Sequence, residues 1–486
     1  MTVTQPATSK KSWAKAIAQP AEEFAPVSLP LLSGQLPQGL RGSLYRNGPA
    51  RLERDGVLTG HWFDGDGAVL AVHFGESGAT GVYRYVKTAS YLAESAANEF
   101  LYANYGMTAP GPVWNNWLKP LKNAANTSVF ALSDRLLALW EGGKPHALDL
   151  ETLQTLGEDD LGCLKGALSY SAHPKYDAET GDLFNFGVSP GSNSTLNIYR
   201  SNLKSSPAGT SLGQILQKAA IPLKGMPLIH DFVLAGRYLV FCISPVRMNA
   251  LPALIGLQSF SDALDWKPEL GTQILIIDRD TLTLVCQIEA DPWFQWHFGN
   301  GYEDADGSIV LDMIRYADFQ TNQYLKEVAT GQTHTRTKGT LWQIRLNPQT
   351  GTVQSADERL PRSGEFPVVP PHQTGQTSHQ VYLSLHRPDV DPTQELLGAI
   401  ARFDYTTDTL MEAELGHNRY PSEPIYARDR LNPEQGWILT VVFDGNTNTS
   451  EVWIFDSDRL DEVPVCRLAL PSVIPHSFHG TWREVK

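Results

Sequence analysis

Five times along the chain an alternating apolar run stops at an Asp or Asn and restarts within a few residues on Thr or Leu, at 147–153, 276–282, 345–351, 402–410 and 454–460. An Asp or Asn side chain so placed accepts hydrogen bonds from the backbone N–H groups just ahead of it and closes a tight turn, while the period-two apolar residues on either side describe strand arms. The repeat commits the chain to hairpins. From Asp278 the turn residues fall at 278, 347, 404 and 456, with gaps of 69, 57 and 52 residues, room for one four-stranded sheet and a decorated loop in each. That spacing fits the blades of a β-propeller. Because the period is uneven, a pair of packed sheets is the competing all-β arrangement. A ring of blades also lets 486 residues share one fold, whereas single cores commonly stop growing near ~250–300 residues. Forty glycines and 32 prolines agree with a turn-rich β protein. Helical segments are expected to be few, the best candidates being 112–122 and 212–220, and residues 1–25 read as a polar N-terminal tail or a short surface helix.

Several function classes drop out. The net charge is −14 and the longest basic run is Lys10-Lys11, so nucleic acid is not an expected partner. Cys163, Cys242, Cys286 and Cys466 are widely separated, and Cys242 and Cys286 sit in apolar runs as buried thiols do, which fits a reducing, cytoplasmic location. The N-terminus has no apolar core of a secretory signal, and no stretch approaches the ~20 apolar residues of a membrane span. Residues 246–262 are apolar but broken by Pro and Gly; a buried loop and a patch that dips into a bilayer both fit them. There is no Gly-rich phosphate loop opening a helix, no Gly-x-Ser-x-Gly and no His-Glu-x-x-His.

The histidines remain. Of 13, four stand among aromatic, apolar or small residues: His173 in Ser-Ala-His-Pro, His230 in Leu-Ile-His-Asp-Phe, His297 in Gln-Trp-His-Phe-Gly and His479 in Ser-Phe-His-Gly-Thr. Singly, each reads as a core histidine bonded to backbone. Together they read differently. Separations of 57, 67 and 182 residues do not match the short fixed offsets of zinc fingers or helical metal motifs, and they suit a ring of blades that each offer one side chain to a shared axis. Four neutral imidazoles would leave a ferrous ion its full charge and keep positions open for dioxygen and substrate. Such ligands need an acceptor for their other ring N–H. Glu141, Glu365 and Glu423, each flanked by apolar residues where an unpaired carboxylate is costly, are the candidates.

These contexts, with Leu-Tyr-Arg-Asn-Gly-Pro at 44–49, Phe-Asp-Gly-Asp-Gly at 63–67 and Phe-His-Gly-Thr-Trp at 478–482, resemble the carotenoid cleavage oxygenases from about Pro37 to the C-terminus. The resemblance implies an all-β, seven-bladed propeller with Fe(2+) on its axis. One domain would span 26–486, with a helical and loop cap built from insertions near 100–125, 205–225 and 246–265. It further implies His173, His230, His297 and His479 as metal ligands, with Glu141, Glu365 and Glu423 bonded to three of them and His173 lacking such a partner. Thr127 would sit beside an open coordination position. The Asn-Gly-Pro and Asp-Gly-Asp-Gly stretches read as structural turns. The activity implied is dioxygenase cleavage of apocarotenals or apocarotenols at the 15,15′ double bond, giving retinal and a second aldehyde. Cleavage of bicyclic carotenoids at 9,10 (9′,10′), stilbene cleavage and an isomerohydrolase are the alternatives within the family; a propeller serving only as an interaction platform is the alternative outside it. A lipophilic polyene and O2 are the expected partners, with peripheral membrane contact through 246–262. Trp140, Phe232, Trp296 and Phe298 are expected to line the substrate tunnel.

Overall fold

The computed structural model describes residues 11–166, 168–191, 194–205 and 211–484; positions 1–10 of the expected tail and 206–210 of the expected 205–225 insertion lie outside them. Nearly every regular element is a strand, and the predicted turns do what their chemistry requires. Asp149 Oδ1 accepts from the N–H groups of Glu151 and Thr152, Asp278 from Asp280 and Thr281, Asn347 from Gln349 and Thr350, and Asp404 from Thr406 and Thr407. Each closes the hairpin between the last two strands of a four-stranded antiparallel set.

The sets stack as a propeller. Central strands such as Tyr238–Ile243 and Gly436–Asp444 are buried along their whole length because both faces are covered by neighbouring sheets, whereas the outer strand Leu284–Ala290 is largely open to solvent. Buried clusters join each set to the next along the chain. Phe184, Phe186 and Ile198 of one set meet Leu239 and Phe241 of the following one, and Leu44 and Leu70 near the N-terminus meet Leu439 and Ile454 near the C-terminus. Two strands lock the ring. Leu31–Gly34 pairs with Cys466–Ala469, and the C-terminal Gly480–Glu484 pairs with Gly42–Arg51.

The sheet order gives six sheets of four or more strands and not seven separate blades. The reason is local. Ala235 makes a single parallel bridge to Gly301, which joins two antiparallel sets into one eight-stranded sheet. Gly301 permits this contact, since a Cβ there would stand 2.8 Å from Val233 Cγ2.

Three local expectations are corrected. Residues 212–220 are not helical: Ile215–Pro222 is an outer strand on Thr195–Asn202, its burial alternating residue by residue, and ladder pairing overrides the helical preference of its Leu, Gln and Lys. In 112–122 only Asn115–Leu118 is helical, between Pro112 and Pro120. Residues 12–17, read as part of a polar tail or a short surface helix, form a 3-10 helix that is docked and not superficial: Trp13 is fully buried and its Nε1 donates to Gln394 O at 3.0 Å.

Residues 246–262 are not a buried loop. They carry the short helix Ala250–Leu254, and Leu257 is 69% exposed, as Trp114 and Trp117 on 112–121 are exposed. A Cβ on Gly256 would stand 2.8 Å from Asn116 Cβ, so the two apolar segments are adjacent. Among the described residues no helix is long and apolar enough to cross a membrane.

Candidate metal centre

The four histidines lie where innermost strands begin or are distorted. His173 and His230 precede Lys175–Tyr176 and Val233–Ala235, and His479 precedes Gly480–Glu484. His297 lies inside Phe294–Glu303, where the ladder register shifts between Gln295 and Phe298. A bulge of this kind re-aims a side chain that regular alternation would place elsewhere.

The result is convergence on one point. The four ligand nitrogens lie within 4.8 Å of one another. His230 Nε2 stands 3.0 Å from His173 Nε2 and 3.2 Å from His297 Nε2. The outer nitrogens face carboxylates: His297 Nδ1 is 2.6 Å from Glu365 Oε2, His479 Nδ1 is 2.8 Å from Glu423 Oε1, and His230 Nδ1 is 3.3 Å from Glu141 Oε1. With their protons on Nδ1, His297 and His479 turn bare lone pairs inward, and His230 cannot offer a hydrogen to both of its neighbours. Such a set fits a cation. Burial, reinforced by the other histidines, pushes His173 and His230 well below the ordinary imidazole range, so these ligands are neutral. His173 alone has no dedicated carboxylate; its nearest is the same Glu141 oxygen, 3.6 Å from Nε2.

The carboxylates are themselves held. Burial acts to raise the Glu423 carboxyl, but His479, Arg46 and the Gly480 N–H outweigh it and hold the group below its usual range. Arg46 is the larger surprise. It was given no role from the sequence, yet its guanidinium is fully buried, 3.3 Å from Glu423 Oε2, and donates to Ser477 Oγ and Phe478 O, the two residues just before His479. Tyr316 Oη donates to Glu365 Oε1 at 2.9 Å. Asp231 joins two histidine loops, accepting from Phe298 N through Oδ2 while Oδ1 takes Phe232 N and pairs with Lys175. Asp231 was visible in the sequence as a carboxylate lodged between His230 and Phe232. Tyr316 gave no such sign.

Glu141 differs from its counterparts. Its side chain is one-third exposed, into the cavity it lines, and burial together with nearby Asp231 pushes its carboxyl well above the usual range. Thr127 also lines the cavity, and its carbonyl accepts from His479 N at 3.2 Å.

That cavity, of about 600 Å³, reaches His230, His297 and His479. Trp140 and Trp296 line it as expected, and Trp296 packs edge-on against His230 with ring centres 4.9 Å apart. Phe232 and Phe298 do not. Phe232 stacks on Phe241 at 5.0 Å in the core between two sheets, and Phe298, next along the strand from the inward His297, turns into the opposite interface. Phe63, Tyr105, Phe260, Phe366 and Phe478 supply aromatic wall in their place.

Comparison with known proteins agrees over the whole chain. Residues 17–484 match the family model described as retinal pigment epithelial membrane protein. Apocarotenoid-15,15′-oxygenase of Synechocystis is 31% identical over 93% of this chain and 92% of its own length. Resveratrol cleavage oxygenase 1 of Aspergillus fumigatus is 25% identical over 92% of this chain and 91% of its own. The crystal structure of the cobalt-substituted Synechocystis apocarotenoid oxygenase superposes with a TM-score of 0.86, at 28% identity and covering 98% of each chain.

Proposed function

The chain belongs to the retinal pigment epithelial membrane protein family, the carotenoid cleavage oxygenases, and from that premise we propose that it is an Fe(II)-dependent dioxygenase that cleaves apocarotenals or apocarotenols at the 15,15′ double bond, giving retinal and a second aldehyde. The observation that carries this reading is the four-histidine centre opening on a largely apolar cavity of about 600 Å³. His173, His230, His297 and His479 would hold the iron, with Glu141, Glu365 and Glu423 fixing the rings. When bound, ferrous iron supplies the activation that lets dioxygen react with an alkene. The chain supplies position and exclusion of water. Neutral histidines leave the metal its charge, and the carboxylates on the outer nitrogens set tautomer and ring angle. Thr127, which lines the cavity beside His479, would limit access to the metal on that side. Trp140, Trp296 and Phe366 form an apolar sleeve that holds a polyene in register with the metal, so the cavity selects among near-identical double bonds by depth.

A short phenolic substrate is less well supported. Among the described residues lining the cavity the one lysine is Lys119, whose Nζ already donates to Leu101 O. The eight-stranded sheet is read as two blades, giving seven in a single domain over 26–486. What supports this is a buried cluster between its halves, Ile276 and Val240 against Leu311 and Ile344, like the clusters between other neighbouring sets. The exposed apolar segments at 112–121 and 250–257 flank lining residues Asn116 and Ala253 and suit a membrane surface from which a lipophilic substrate enters.

Anaerobic reconstitution tests the assignment. The wild type is expected to bind about one ferrous ion per chain and His230→Ala none, with loss of cleavage; a wild-type rate in the variant contradicts it.

A further inference from the structure

Four polar residues of the cavity wall share a single hydrogen-bonding sense. They are Tyr324, His386, Tyr420 and His476, backed by the N-terminal 3-10 helix through Trp13, which shares a buried cluster with Tyr324 and Tyr420. Every hydrogen these four residues can donate is already committed. Tyr324 Oη donates to the Glu395 carbonyl at 2.9 Å and Tyr420 Oη to Glu395 Oε2 at 2.8 Å. His386 Nε2 lies 3.0 Å from the Glu395 carbonyl and His476 Nε2 lies 2.8 Å from the Trp13 carbonyl. A carbonyl only accepts, so in both rings Nε2 carries the proton. Burial pushes both imidazoles down to about 4, so each is neutral and its Nδ1 bears a lone pair. His386 Nδ1 is buried without a partner, and among the described residues no hydrogen bond is made to His476 Nδ1.

What remains on offer is four acceptors: two imidazole nitrogens and two phenolic oxygens. A carbonyl end group brings only another acceptor and leaves all of them unanswered, while a hydroxyl brings the missing donor. We propose that this lobe is a subsite for a hydroxyl-bearing end of the polyene, with His476 as its principal acceptor, so that the cavity selects an alcohol or a hydroxylated ring over the matching aldehyde or unsubstituted ring. The inference rests on the polyene reading of the cavity given above.

Binding to the metal-free protein, followed by quenching of tryptophan fluorescence, separates the two claims. The probes are two matched pairs: 8′-apocarotenol against 8′-apocarotenal, and a 3-hydroxylated against an unsubstituted β-ionone ring on the same chain. In at least one pair the hydroxylated member is expected to bind about 3- to 10-fold more tightly, the worth of one hydrogen bond. The preference should vanish in His476→Phe; should that variant fail to fold, Tyr420→Phe, which removes one acceptor and keeps the ring, is expected to reduce it. Equal affinity within both pairs, or a preference that survives in the folded variants, overturns the subsite while leaving the polyene reading intact. No quenching by any of the four polyenes overturns both.

Discussion

His230 shares its Nε2 environment with two other ligands and has Glu141 behind it, so no neighbour can replace it. Glu423 is different in kind. Its carboxylate orients His479 and does not itself face the cluster, so Glu423→Gln is expected to retain part of the metal while cleavage falls about 10- to 100-fold, measured as metal content and rate on the same preparation. Arg46→Met should act mainly on stability. It strips a buried carboxylate of its cation and frees Ser477 and Phe478, so chemical denaturation should show a loss of about 3–5 kcal/mol. The four converging histidines and the glutamates beside them were legible because a charged or titratable residue among Trp, Phe and Leu is costly without a purpose. Arg46 stood in the same kind of setting and was given no role, because its partners lie more than 370 residues away. Phe232 and Phe298 were misplaced for another reason. Adjacency to a ligand says nothing of direction, which at His297 depends on a bulge.

At the scale of elements the Asx turns were the most readable feature, since an Asp followed by Thr encodes its own hydrogen bonds. The turn N–H groups of Thr281 and Thr407 hold the carboxyls of Asp278 and Asp404 below the ordinary range. Their stabilising contribution is therefore fully present above the unfolded value near ~4 and is lost as pH falls through the lower folded value. Asp278→Asn, which keeps the acceptor but cannot titrate, should flatten the decline in stability between about pH 5 and pH 2. Asp278→Ala should instead cost about 0.5–1.5 kcal/mol at neutral pH. The outer strand Ile215–Pro222 was not legible as a strand, because a short Leu-Gln-Lys run satisfies either period and its pairing with Thr195–Asn202 decides. The burial of Trp13 was equally hidden. An aromatic in a polar stretch docks only if the fold presents a pocket, and that pocket is made by residues scattered along the sequence, among them Trp62, Tyr324, Gln394 and His476.

For the whole molecule, the ring was legible from the turn spacing, but its closure was not, because both locking strands pair ends of the chain that carry no mutual signal. On the outside of the molecule, Trp117 and Leu257 are exposed apolar residues of the adjacent segments 112–121 and 250–257. Trp117→Asp with Leu257→Asp is expected to lower co-sedimentation with phospholipid vesicles several-fold and to leave cleavage of detergent-dispersed substrate unchanged. By the function proposed, this axis would hold an iron with which the chain cuts one double bond of an extended polyene. The most direct measurement of this is incubation of the ferrous-loaded protein with β-apo-8′-carotenal in aerated detergent, with chromatographic identification of the products. Retinal and one complementary aldehyde, formed only with iron bound and dioxygen present, is the expected result; intact substrate from a protein shown to hold its iron would contradict it.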